Sequence, residues 1–238
     1  AGEDAVFVSW HSNAPSPARG TSTYVYGPNP ADGTYQFAGV AGSDKLAKLL
    51  HNEIVKDIRG TFDPKWRDLG VYSAYFGEIN PNHNNEMPSV LTEVAFHDTA
   101  ADAEYMKDPK WRQVVARAMA QSIVKYFAQR DKVTAVLPPD NPANLRVKGQ
   151  GWGGLRVEWD APTVDAGDIG GGAATSYRVY VGDGPDAYCN PIEVTTPYAD
   201  LTDLEPSSLK YVRVTAVNAG GESFATPTLV ATVGCGRS

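Results

Sequence analysis

The chain has 238 residues, 42% of them hydrophobic and 21% charged, which is ordinary globular usage and room for one or two domains. Its 21 Lys and Arg against 28 Asp and Glu leave a formal charge of −7 with no basic patch, which argues against nucleic acid and anionic membrane partners. No apolar run approaches the ~20 residues of a membrane span, and no signal peptide opens the chain, so an exported protein would be met here in a mature or processed form.

Residues 6–14, Val-Phe-Val-Ser-Trp-His-Ser-Asn-Ala, read as a buried strand that stops at a polar cluster, with His11 at its end. Ligands in α/β sheets gather outside the carboxyl ends of strands, which makes the place of His11 as suggestive as its chemistry. One His defines no metal site, and a strand-end His bonded to nearby backbone fits the same residues. Ser43 is placed to cap a helix with Leu46, Leu49, Leu50, Ile54 and Ile58 on one face and Gly60 as its stop. His51 lies inside that helix with no acidic or His partner at matching spacing, which predicts a surface position.

Residues 69–76 and 89–92 read as strands, separated by a polar insert, His83-Asn-Asn-Glu86. The insert reads either as a solvated loop or as a plug whose His83 or Glu86 reaches a metal. Residues 88–96, Pro-Ser-Val-Leu-Thr-Glu-Val-Ala-Phe, form an apolar run with one carboxylate, Glu93, where it closes; a charge there is costly unless paired, bonded or working. A second helix from about Pro109 sets Trp111, Val115, Met119, Ile123 and Tyr126 at helical spacing, a core stripe. Alternating strands and helices predict an α/β domain with a largely parallel sheet.

Three prolines in residues 136–142 favour an extended linker, placed at 134–142, between a domain at 1–133 and another at 143–238. Beyond it, residues 155–159, 176–181 and 211–217 alternate apolar and polar side chains without helix, which is the pattern of an all-β sandwich. The Gly-rich stretch 165–173 reads as a loop, since no Gly-Lys-Ser/Thr and no helix follow. Cys189 and Cys235 lack Cys-x-x-Cys spacing, which argues against a thiolate metal site and leaves a disulfide or two free thiols open.

The two apolar segments, V-F-V-S-W-H-S-N-A and later P-S-V-L-T-E-V-A-F, with a long helix after them, resemble the zinc-dependent N-acetylmuramoyl-L-alanine amidases over about residues 5–128. The resemblance implies that His11 is a zinc ligand and Glu93 the catalytic carboxylate, with Asn13 and Ala14 matching the Asn-Ala that follows the ligand. Asn13 would hold the His11 loop or a substrate carbonyl, and His97 would contact substrate. The chain has Ala95-Phe96-His97-Asp98-Thr99 where the family has Gly before Phe and Ser-Asn soon after. Two further zinc ligands of the family, a His and a Glu, precede the His11 strand and have no counterpart here, so this stretch looks like the C-terminal part of a catalytic domain, incomplete at its N-terminus. An N-terminal segment or a second chain would complete the metal site.

Leu204-Glu-Pro-Ser-Ser-Leu-Lys-Tyr211 and the following Val-Arg-Val-Thr-Ala-Val-Asn-Ala-Gly-Gly resemble a fibronectin type III domain over about residues 140–233, with Trp159 as its core Trp and Tyr211 as its tyrosine-corner residue. Together the resemblances imply a bacterial peptidoglycan hydrolase, secreted, periplasmic or at the cell surface. It would cleave the amide between N-acetylmuramic acid and L-alanine with a zinc-bound water as nucleophile and Glu93 as general base. A different class remains open: a non-catalytic cell-wall or partner-binding protein derived from a degenerate or processed amidase.

Overall fold

The computed structural model describes residues 5–164, 170–188 and 190–235, and divides into two compact units, Ala1–Ala135 and Val136–Ser238. The first holds strands β1 (Phe7–Asn13), β2 (Thr21–Tyr26), β3 (Asp68–Ala74) and β4 (Ser89–Phe96) with helices α1 (Ser43–Thr61), α2 (Ala100–Lys107) and α3 (Pro109–Asp131). The strands form one sheet in the order β1-β4-β2-β3. Both outer pairings, β1 with β4 and β2 with β3, are parallel, while the central pairing of β2 with β4 is antiparallel. The sheet is therefore mixed, with two parallel pairs joined back to back.

Strand β2, Thr-Ser-Thr-Tyr-Val-Tyr, is a central strand that the apolar pattern does not announce, because Thr21, Ser22 and Thr23 are all buried polar residues. Each finds a partner: Thr21 Oγ1 donates to Val94 O and accepts from Trp66 Nε1, and Thr23 Oγ1 meets Thr92 Oγ1 at 3.1 Å. Satisfied hydroxyls are tolerated where bare ones are not, so β-branched shape and not hydrophobicity marks this strand. Strand β1, by contrast, borders the described sheet and is only half-buried, with Phe7 and Trp10 exposed. The buried-strand expectation is corrected there: β1 has one neighbouring strand, β4, and so one covered flank.

Helices α1 and α3 pack on each other, with Leu46, Leu50, Ile54 and Ile58 of α1 and Trp111, Val115 and Met119 of α3 in one core with Val25, Val90 and Val94. Ser43 begins α1 but does not cap it; its Oγ accepts from Ser89 N, tying the helix start to β4, and the cap position is Gly42 at φ +93°. Gly60 lies within the helix, which ends at Thr61. His51 is corrected from surface to core: it is 2% exposed, bonded through Nδ1 to Thr23 Oγ1 (3.2 Å) and through Nε2 to Asp68 Oδ1 (2.7 Å). Its acidic partner comes from β3, not from the helix. Asp108 caps α3 by accepting from Lys110 N, with Pro109 at the first turn, where a missing N–H costs nothing.

The second unit is an all-β sandwich. Strands β5 (Ala143–Gly149), β6 (Leu155–Asp160) and β9 (Tyr198–Leu201) form one antiparallel sheet. Strands β7 (Ser176–Gly182), β8 (Ile192–Val194), β10 (Leu209–Asn218), β11 (Gly221–Glu222) and β12 (Leu229–Thr232) form the other, again antiparallel. Alternate residues of both sheets, including Leu155, Val157, Trp159, Val179, Val212 and Val214, share one core, with Tyr177 edge-on to Trp159 at 5.2 Å. Tyr211 is a correction: it is half-buried on the strand face opposite Val212, Val214 and Ala216, one residue out of phase with the core. The Pro-rich run is held against this unit, Leu137 O accepting from Gly172 N and from Asn218 Nδ2. Cys235 is exposed; Cys189 and part of the 165–173 stretch lie outside the described residues, and with Cys189 the question of its pairing. No helix among the described residues is long and apolar enough to cross a membrane.

Candidate active site

Strand β4 lies between β1 and β2, and its register sets His11 and Ser22 on either side of Glu93. Val90, Thr92 and Val94 point to the helices, so Glu93 points to the opposite face. Because β1 and β4 are parallel, His11 and Glu93 come near the same ends of their strands. Strand pairing becomes irregular just beyond, between His11 and Asn13.

The Glu93 side chain is largely enclosed and its Oε2 has no hydrogen-bond partner among the described residues. Burial pushes its carboxyl above the ordinary carboxylate value; the imidazoles of His11 and His97 pull it down, and Glu78 pushes it further up. A carboxylate raised this way, with one oxygen left unpartnered, has a free lone pair with which to accept a proton.

His11 lies within β1 and not at its end. Its Nε2 meets Ser9 Oγ at 2.9 Å and Glu78 Oε1 at 3.3 Å, and both imidazole and carboxylate stay partly open to solvent. Asn13 spends its Oδ1 on the next backbone amide, Ala14 N (2.8 Å), so its side chain holds the loop after His11. His97 is exposed just past β4; its Nδ1 meets Ser12 Oγ at 3.2 Å and its backbone N–H donates to Asn13 O. His11, Glu93 and His97 are thus neighbours, with Asn13 bracing the chain between the two His-bearing segments.

The carboxylate that reaches His11 is Glu78, in the 3-10 turn Gly77–Ile79, and sequence reasoning passed over it. Glu78 is neither in an apolar run nor at helical spacing; only its lone charge between Gly77 and Ile79 distinguishes it. His83 and Glu86 are exposed, His83 Nδ1 bonding Gly77 O at 3.1 Å. The end of β4 is anchored by Asp102, wholly buried, which accepts from Phe96 N, Gly20 N and Arg19 Nε (2.7 Å).

Among the described residues no three His, Cys, Asp or Glu side chains are placed together to hold a metal. A catalytic zinc needs about three protein donors with one position open, and His11 with Glu78 beside it falls short of that number.

The sequence model of the N-acetylmuramoyl-L-alanine amidases matches residues 1–125, more than half of the chain, and that of the fibronectin type III domain matches residues 140–232. An uncharacterized cell wall amidase of Bacillus anthracis is 33% identical over 124 residues, covering 51% of this chain and 21% of that protein. The N-acetylmuramoyl-L-alanine amidase LytC of Bacillus subtilis is 34% identical over 124 residues, with the same coverage of 51% and 21%. The chain thus spans about a fifth of the length of these relatives. Among solved structures, an N-acetylmuramoyl-L-alanine amidase from Clostridium difficile is 24% identical, with 52% of this chain and 59% of that one covered and a TM-score of 0.42.

Proposed function

Since the chain belongs to the N-acetylmuramoyl-L-alanine amidase family through residues 1–125, we propose that it serves to hydrolyse the amide between N-acetylmuramic acid and the L-alanine of the peptidoglycan stem peptide, outside the cell or at its surface. The observation that carries this reading is the pairing of His11 with Glu93 on adjacent parallel strands, with Glu93 enclosed and one of its oxygens unpartnered.

An amide is a poor electrophile, and its nitrogen leaves only once protonated. Glu93 takes the proton of the attacking water and passes it to that nitrogen. His11 would hold a zinc ion, which when bound polarises the carbonyl and lowers the pKa of water. Further donors would come from an N-terminal segment or a second chain, because His11 and Glu78 fall short of a set. Asn13 keeps the His11 loop in place through Ala14 N, and His97, exposed beside Glu93, contacts the substrate. The test is Glu93→Gln in protein whose metal site is complete: fold and zinc content stay, and release of stem peptide from peptidoglycan falls by roughly 10²–10⁴-fold. Near-full activity in that variant would remove Glu93 from the reaction.

The short donor set favours a second reading, a cell-wall or partner-binding protein without catalysis. The two readings part on one measurement: if no segment or partner restores stoichiometric zinc, the binding reading stands.

A further inference from the structure

The loop joining β5 to β6 reads Gln150-Gly-Trp-Gly-Gly154 and carries Trp152 at 67% exposure, the most open of the large hydrophobic side chains among the described residues. Its backbone is held tightly. Gln150 N donates to Gly154 O at 2.9 Å, Leu204 N donates to Gly153 O at 3.0 Å, and Gly153 N donates to Gly234 O at 3.3 Å. Gly151 and Gly153 have φ of +81° and +67°, and a Cβ at Gly153 would stand 2.9 Å from Leu204 O, so glycine is required there. The turn thus carries an exposed indole on a backbone fixed by hydrogen bonds. An aromatic ring on a preorganised backbone loses little entropy on binding, which is how such rings serve as anchors.

The turn adjoins a row of planar groups on the outer face of the β5-β6-β9 sheet. Gln150 Nε2 donates to Asp200 Oδ1 at 2.8 Å, Asp200 also accepts from Arg156 Nη1, and the Arg156 guanidinium lies 4.0 Å over the ring centroid of Tyr198. The charges of this face cancel one another. Arg146, Lys148 and Arg156 are paired with Glu158, Asp160 and Asp200, three positive against three negative. A polyanion or a cation would need an uncompensated field, and this face has none. A neutral polyhydroxyl ligand needs an apolar ring for its C–H face and fixed donors and acceptors for its hydroxyls, both of which are present.

We propose that Trp152, with Gln150, Arg156 and Asp200, forms a glycan-binding patch of the second unit. The indole stacks on the C–H face of a sugar ring, and the three polar side chains bond its hydroxyls. The patch is built from residues of the second unit alone and does not depend on the chain being an amidase.

Two probes test it with the 1–238 chain: a soluble N-acetylglucosamine oligomer, followed by calorimetry, and insoluble peptidoglycan stripped of anionic polymers, followed by co-sedimentation. Both are bound. Trp152→Ala weakens binding of each by about tenfold or more, the size of effect that truncating an aromatic anchor has, whereas Trp152→Phe retains most of it. Phe224→Ala, which removes another exposed aromatic ring of the same unit, leaves binding unchanged. The proposal is overturned if the wild-type chain binds neither probe, if it binds peptidoglycan alone and Trp152→Ala does so equally well, or if Phe224→Ala weakens binding as much. It is also overturned if sedimentation shows that Trp152 joins two copies of the chain. No arm reads hydrolysis, so the patch and the amidase reading stand or fall separately.

Discussion

Arg117 Nη2 stands 3.9 Å from Asp57 Oδ2, across the packing of α3 on α1, and neither Asp57 oxygen accepts a hydrogen bond from any described residue although the side chain is wholly buried. Burial raises the Asp57 carboxyl to about 7; Glu53, one turn earlier on α1, pushes it the same way, and Arg117, Lys56 and Lys125 pull it down. A carboxyl raised from 3.8 makes a stability contribution that is complete below pH ~3.8 and lost as pH rises through about 7. Asp57→Asn, which keeps the shape and removes the charge, should therefore stabilise the first unit at pH 8 by about 1–3 kcal/mol and flatten its stability between pH 4 and 8. Melting curves across that range measure it. A variant less stable than wild type at pH 8 would show that Asp57 is held as a useful anion.

His51 joins three strands' worth of polar groups: Asp68 of β3 and Thr23 of β2 directly, and Thr92 of β4 through Thr23. His51→Ala should leave those hydroxyls and the carboxylate short of partners and cost about 2–3 kcal/mol in urea unfolding. Thr23→Val in the same background should cost much less than in the wild type, because the network is already broken. Fully additive costs would mean that the hydroxyls do not depend on His51.

Asp102 accepts from Arg19 and from two backbone amides, Gly20 N and Phe96 N, so it fixes the end of the strand that carries Glu93. Asp102→Ala leaves two buried amides, Gly20 N and Phe96 N, without an acceptor and removes the partner of the part-exposed Arg19, and should destabilise the first unit by about 3–5 kcal/mol. Asp102→Asn can still accept one bond and should cost less. Chemical denaturation of both variants ranks them, and an equal cost would place the effect in packing and not in the carboxylate's bonds.

With His11 and Glu78 as its nearest donors, zinc held by residues 1–238 should be weak and readily taken by a chelator. His11→Ala should abolish even that, while Cys235→Ala should leave it untouched. Competition against a chromogenic chelator reads the difference. Tight one-to-one zinc in the wild-type chain would show that the described donors suffice.

The second unit has its own core around Trp159, Val157, Val179 and Val214, and residues 136–138 pack against it. A fragment of residues 136–238 should fold alone with a cooperative melt and a protected Trp159. Circular dichroism and tryptophan emission check this, and an unfolded fragment would mean that the unit needs residues 1–135.

The helices α1 and α3 and the strands β3, β4, β6, β7 and β10 were legible in the chain because each carries a local apolar period that its own residues complete. The core place of Trp159 followed from the resemblance to fibronectin type III domains, and Trp159 is buried as that implies. Strand β2 escaped that reading, since its buried face is made of hydroxyls whose partners, Val94 O, Trp66 Nε1 and Thr92 Oγ1, are far along the chain. His51 escaped for the same reason: nothing within α1 pairs it, and only the docking of β2 and β3 turns a helix histidine into a core one. Tyr211 shows the converse limit, because a one-residue shift of register moves a side chain to the other face of a strand. Residue pattern alone presented His11 and Glu93 as separate features that only the family resemblance joined in one site; the parallel pairing of β1 with β4 makes them neighbours and brings Glu78 to His11. Periodicity is a property of neighbours in sequence, whereas a site is a property of neighbours in space, and strand pairing converts one into the other.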